Sequence, residues 1–324
     1  MGGFESSNPA GPQQAPYKTY RPAGRLPGAP LSYRTMVLRR ISVLGVGLLG
    51  GSIGLAAKST LSGVEIVGYG HRKATLERAL EVGAIDRLAI QVTEAVEGAD
   101  LVILCTPVGI FEGLLRELLN ALKPGAVVTD VGSTKRSVVK LAEENLPSGV
   151  HFVGSHPMAG SEKRGVEFAR ADLFQNALCI LTPTAKTDAA ALGAVDGFWK
   201  ALGMRTCQLS PVEHDQLLAE VSHLPHALAA ALVTMQNDNA LTLAGKGFLD
   251  ATRIAGGDGA LWRDILMDNK DNVLASIKEL KKNLGELETL LSGDRGEELA
   301  KWLDRAAARR AKLLEQKLRE INPD

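Results

Sequence analysis

ISVLGVGLLGGSIG, residues 41–54, is the stretch that decides the fold. A short apolar run enters a turn in which Gly45, Gly47 and Gly50 are spaced as GxGxxG, and helical periodicity follows. In a strand-to-helix turn of this kind Gly45 allows the tight turn, Gly47 the close approach of a pyrophosphate, and Gly50 the packing of helix on strand. The helix N-terminus completes an anion site, with Leu48 and Leu49 as further candidate cofactor contacts. The alternative is a glycine-rich turn arising by chance.

Outward from this turn, apolar runs alternate with helical periodicity, which is how βαβ units appear in sequence. Strands are predicted near residues 40–46, 64–69, 101–106, 126–130, 151–154 and 178–181, with helices at 110–122 and 134–146 between them. The expected class is α/β, a Rossmann-type doubly wound parallel sheet over residues 36–185. After Pro183 the strand signals stop, and an all-helical domain is expected over 186–324. Apolar residues Val273, Ile277, Leu280, Leu284, Leu287 and Leu291 mark one amphipathic helix, and residues 298–321 another. Such a half suits either an isolated bundle or, preferred here, an intertwined homodimer.

Composition narrows the partners. Apolar residues make up 45% and charged residues 23%, and 37 basic residues balance 37 acidic ones. No net field attracts nucleic acid or an anionic membrane, so a small-molecule substrate is expected. No run of about 18 uninterrupted apolar residues marks a membrane span. Cys105, Cys179 and Cys207 lack the spacing of a metal or redox site and read as free thiols in a reducing cytoplasm. Residues 1–35, rich in Pro, Gly, Ser and Gln, are expected to be a disordered extension or an upstream start assignment rather than a transit peptide.

A doubly wound sheet binds its ligands at the carboxyl ends of the strands. The second strand, VEIVGYG, ends where an acidic residue would hold the ribose 2′-hydroxyl of NAD. Here His71, Arg72 and Lys73 follow instead, which favours the 2′-phosphate of NADP modestly; the alternative is that Arg72 stacks on the adenine and NAD is accepted as well. Thr106 and Pro107 close the run at 101–106 beside the cofactor path, and DVGSTK, residues 130–135, places Ser133 near the nicotinamide end.

Three segments carry the chemistry: GSHPMAGSEKRG (154–165), EHDQLLAEVSHLPHALAAAL (213–232) and GFLDATRIAGGDGALWRDILMDN (247–269). A hydride leaves a carbinol carbon only if the hydroxyl proton is removed, and a histidine at a strand end is suited to take it. His156 is the candidate; a structural histidine before proline is the alternative. His223 and His226 lie three apart on one predicted helix, so both can share a face. A metal pair is conceivable, but no third ligand is evident and no metal is expected. His214, with Asp215, is expected to help order the domain junction.

With GLLGGS and GSTK, these segments resemble the prephenate dehydrogenase family, which includes arogenate and cyclohexadienyl dehydrogenases. The resemblance implies oxidative decarboxylation on the route to tyrosine. It implies His156 as the base toward a ring 4-hydroxyl, Ser133 bridging hydroxyl and cofactor, and Arg253 of TRIA clamping a substrate carboxylate. His226 becomes a substrate hydrogen-bonding group with Ser222 beside it. Glu162 and Asp250 become acidic groups at the entrance, and Trp262 a wall residue from this chain or its partner; ordinary helix-face roles are the alternative for those three. The approach to Arg253, LAGKGFLDATRIA, is short for the family. Competing readings are another dehydrogenase of this architecture, such as a β-hydroxyacid dehydrogenase or imine reductase, or a non-catalytic NADP-sensing module.

Overall fold

A computed structural model describes residues 38–160 and 163–321. The extension expected over residues 1–35 lies outside the described residues. Strands β1 (Arg40–Leu44), β2 (Glu65–Tyr69), β3 (Arg87–Ala89), β4 (Leu101–Leu104), β5 (Val127–Asp130), β6 (His151–Pro157), β7 (Leu178–Thr182) and β8 (Arg205–Gln208) form one sheet in the order 3-2-1-4-5-6-7-8.

The alternation of side chains along each strand feeds two cores. Ile41, Val43, Leu101, Ile103, Val127 and Val153 pack on one face, while Leu44, Val67, Val102, Leu104, Val128 and Phe152 pack on the other. The polar intruder Ser42 is satisfied by donating from Oγ to the Ala95 carbonyl at 2.5 Å. The order reverses between β1 and β4, so the cofactor turn after β1 opens into the crevice at that switch.

Two strands escape the sequence pattern, and one runs against it. β3 is three residues of half-buried character, too short to register as a run. β8, RTCQ, is an edge strand with exposed ends and a single apolar side chain, Cys207, so the sheet continues to Gln208 beyond the point where strand signals stop. β7 is antiparallel to β6, with Met158 N donating to Leu178 O at 2.7 Å where the ladder begins. The Ala189–Ala201 helix then carries the chain to β8, which pairs parallel with β7. The sheet is therefore mixed rather than wholly parallel.

From Pro211 on, the described chain is helical. Two long helices, Lys270–Ser292 and Gly296–Ile321, coincide with the predicted amphipathic segments. The run Pro211–Thr234 is long and apolar enough to cross a membrane by length and composition alone. It also carries the buried polar residues His214, Asp215, His223 and His226, the character of a helix that lines a site.

Candidate active site

The glycine turn has the geometry that a dinucleotide needs. Gly45 sits at φ +109°, and a Cβ there would lie 2.8 Å from the Cys105 backbone; only glycine tolerates both. At Gly50 a Cβ would come within 2.2 Å of the Gly45 carbonyl oxygen, so helix and turn touch backbone to backbone. A Cβ at Gly47 would meet nothing within 4 Å. Gly47 is the N-cap of the Leu48–Thr60 helix, which has neither a side-chain cap nor an acid in its first turn. Such a helix end favours a phosphate group. Alongside it, Thr106 Oγ1 is buried with no hydrogen-bond partner among the described residues. His71 and Arg72 are exposed past the end of β2, the His71 ring edge-on to Tyr69 at 5.6 Å. These residues fit a dinucleotide.

At the carboxyl end of β6 stands His156, buried but for 7% of its surface. Its Nδ1 is 2.9 Å from His214 Nε2, and His214 Nδ1 is 2.8 Å from Asp215 Oδ1. Asp215 also accepts from the backbone amides of Lys135 at 2.8 Å and Arg136 at 2.9 Å, two and three residues after Ser133. The His156 Nε2 has no hydrogen-bond partner among the described residues and is not sealed in. Burial, then the neighbouring His214 and Lys135, push the His156 imidazolium well below the ordinary histidine pKa. A neutral imidazole with one ring nitrogen unpartnered is a competent proton acceptor.

A wide turn of π type, Ala219–His223, interrupts the helical run. In an uninterrupted α-helix, His214 and His223, nine residues apart, would point to roughly opposite sides at about 100° per residue. The wide turn absorbs about one residue of that rotation, so both rings are buried, and His223 carries no solvent exposure. Asn269 Nδ2 lies 3.1 Å from His223 Nδ1 and donates to the Asp215 carbonyl at 2.7 Å. His226 stacks on Trp262 with centroids 3.5 Å apart and planes 11° apart. A Cβ at Gly257 would strike both rings, at 2.5 Å from Trp262 Nε1 and 2.9 Å from His226 Cε1. The His226 Nδ1 is buried without a partner among the described residues.

Comparison with known proteins identifies the family. The family description "Prephenate dehydrogenase, nucleotide-binding domain" matches residues 53–208, and "Prephenate dehydrogenase, dimerization domain" matches 210–305. The prephenate dehydrogenase of Bacillus subtilis is 40% identical over 82% of this chain and 74% of its own length. The chain belongs to the prephenate dehydrogenase family. The cyclohexadienyl dehydrogenase of Zymomonas mobilis is 33% identical over 81% of this chain and 92% of its own. A crystal structure of prephenate dehydrogenase from A. aeolicus, in complex with hydroxyphenyl propionate and NAD+, superposes with a TM-score of 0.81 at 35% identity, covering 86% of this chain and 100% of that one. The family is one of oxidoreductases.

Against this family background, the predicted site residues separate into three groups. His156, the Ser133 loop, His223, His226 and Trp262 converge, with Trp262 stacking on His226 of its own chain and Ser222 half-buried beside His223. Asp250 and Arg253 are exposed, one in the Lys246–Thr252 helix and the other opening the turn after it. Glu162 lies outside the described residues. Sequence reasoning missed the roles of Asp130, Lys135, Asn269 and Gly257. It expected His214 and Asp215 to help order a domain junction, without linking them to His156, 58 residues from His214.

Four buried imidazoles carry a stability consequence. Burial lowers His156, His214, His223 and His226, His223 to about 4, while Asp215 opposes the shift at His214 and His223. The unfolded chain takes up protons near pH 6.5 and the folded chain does not, so stability falls as pH drops through that value. Each histidine adds up to about 1.4 kcal/mol per pH unit to the slope, until its folded pKa is reached. Urea midpoints are expected to decline steeply between pH 6.5 and about 4; a flat profile there contradicts burial of the neutral rings.

Proposed function

We propose that the chain oxidises a cyclohexadienyl substrate, prephenate or arogenate, with loss of carbon dioxide, as a step of tyrosine biosynthesis. The observation that carries this reading is His156 at the carboxyl end of β6, its Nδ1 engaged by His214 Nε2 at 2.9 Å and its Nε2 without a hydrogen-bond partner among the described residues. A bound nicotinamide supplies the acceptor for the hydride from the ring carbinol carbon.

The chain's own residues handle the proton and the charges. His156 Nε2 takes the proton of the ring 4-hydroxyl, while Ser133 hydrogen-bonds that oxygen and orients it. Arg253 pairs with a substrate carboxylate in the planar geometry that suits a guanidinium. As the ring carboxylate departs as carbon dioxide, its bonding electrons complete the aromatic ring. The proton on His156 returns to the phenolate oxygen, so the base is restored. His226, backed by Trp262, is placed toward the substrate side chain, and Asp250 borders the entrance.

A homodimer is part of the proposal. Val221, Met235, Leu243, Leu249, Met267 and Leu274 are each more than 60% exposed in the single chain except Leu249, at 60%. Apolar exposure on this scale supports a second copy as cover. The free thiols Cys105, Cys179 and Cys207 support a cytoplasmic setting.

Either NAD or NADP is proposed as cofactor, with a modest preference for NADP, because basic side chains stand where an acid would repel the 2′-phosphate. The deciding assay mixes purified protein with each of the two substrates and each of the two cofactors and follows reduced nicotinamide absorbance. Turnover of neither substrate refutes the function. For Arg72→Ala, KM for NADP+ is expected to rise about tenfold, the loss of one charge-assisted hydrogen bond, with KM for NAD+ within about twofold. Equal changes for both cofactors assign Arg72 to the adenine instead.

A further inference from the structure

The hydrogen-bond chain behind His156 fixes where its proton sits. Asp215 faces three N–H donors: the Lys135 and Arg136 amides and His214 Nδ1. A carboxylate so surrounded is ionised and only accepts, and these bonds hold its pKa below the ordinary range against burial. His214 therefore carries its proton on Nδ1. A neutral imidazole has one N–H, so His214 Nε2 is a lone pair, and it faces His156 Nδ1 at 2.9 Å. That nitrogen of His156 must donate, which leaves Nε2 bare.

We propose that His214 and Asp215 are positioning residues: together they lock His156 in the tautomer whose basic Nε2 faces the substrate, and they share the positive charge once the proton is taken. The proposal rests on His156 as the base of the reaction proposed above.

Two features set this apart from simple packing. His214 has no solvent exposure and Asp215 has 3%, so both polar groups were taken from water, a cost that apolar residues would avoid. Asp215 also comes from the helical half, yet its carboxylate is held by the amides that follow Ser133. One carboxylate thus ties the base tautomer to the position of the serine loop. Asn269, donating to the Asp215 carbonyl, fixes that residue from the other side.

The test reads the tautomer directly. Protein labelled with 15N-histidine and saturated with NAD+ is observed by NMR near pH 7.5, with the His156 signals assigned by their loss in His156→Asn. Nδ1 is expected to be protonated and Nε2 unprotonated. In His214→Phe the acceptor is gone, so the His156 tautomers mix and kcat falls about 100-fold or more, with the dissociation constant for NAD+ within twofold. In His214→Gln an amide oxygen accepts from Nδ1 again, and at least a tenfold recovery over His214→Phe is expected. Should His214→Phe not fold, the wild-type spectrum and the kcat of His214→Gln decide. A protonated Nε2 in the wild-type protein, or His214→Phe turning over within threefold of wild type, overturns the relay. Failure of the wild-type protein to oxidise either substrate sinks the functional reading instead, and leaves the spectrum to judge the tautomer.

Discussion

Replacing His156 with asparagine is expected to lower kcat about 1000-fold, with the dissociation constant for the dinucleotide within about twofold of wild type. The magnitude follows from the usual contribution of a positioned general base, about 10²- to 10⁴-fold. Asparagine keeps a polar side chain beside His214 and opens little space, so the cofactor turn around Gly45 and Gly50 is undisturbed. What it lacks is a nitrogen that takes a proton. A variant with ordinary turnover removes His156 from the chemistry, and one that loses dinucleotide affinity in proportion to kcat makes it a structural residue.

The same assignment fixes the pH profile. Burial, followed by the neighbouring His214 and Lys135, disfavours the His156 imidazolium. The base is thus already neutral at pH 6.5. The kcat/KM of the wild-type enzyme is expected to stay level from pH 8 down to 6.5 and to decline only below it, measured at saturating cofactor. A rising limb centred at pH 7 or above contradicts a buried, neutral imidazole.

Much of this was legible in residues 41–54, because GxGxxG after an apolar run answers to a local demand: backbone must approach backbone at Gly45 and Gly50. Periodicity likewise located six of the strands and both long helices, since each buries one face. It failed at β3 and β8, whose burial comes from neighbours in the sheet rather than from their own composition, and it gave no sign that β7 runs antiparallel. In the site, family likeness to HPMAG and SHLPH marked His156 and His226. The partnership of His156 with His214 was not readable, because it depends on how the helical half docks against β6. An α-helical repeat alone would also set His214 and His223 on opposite sides, and the wide turn at Ala219–His223 alters that spacing.

Substituting Lys135 with methionine is expected to cost about 3–5 kcal/mol of stability, the range for removing one partner of a buried ion pair. The Lys135 side chain has no exposure; its ammonium bonds the Asp130 carboxylate, itself fully buried, and donates to the Thr134 carbonyl at 2.9 Å. Without it, Asp130 keeps, among the described residues, the amides of Gly132 at 2.8 Å and Ser155 at 3.1 Å, too little to compensate a charge removed from water. For a chain of this size the loss corresponds to a fall in Tm on the order of 10 °C. The damage also reaches the site, because Ser133 lies inside the loop that the pair clasps, and a Cβ at Gly132 would already sit 2.9 Å from Asp130 Oδ2. Turnover is therefore expected to drop along with stability. Changing both residues, as Asp130→Asn with Lys135→Met, removes the stranded charge and is expected to regain about half of the lost stability, since the remaining amide still accepts from one backbone N–H. Thermal melts of the two singles and the double close the cycle. A single Lys135→Met variant within 1 kcal/mol of wild type means that Asp130 takes up a proton or water enters, and the loop holding Ser133 owes its shape to the backbone bonds alone.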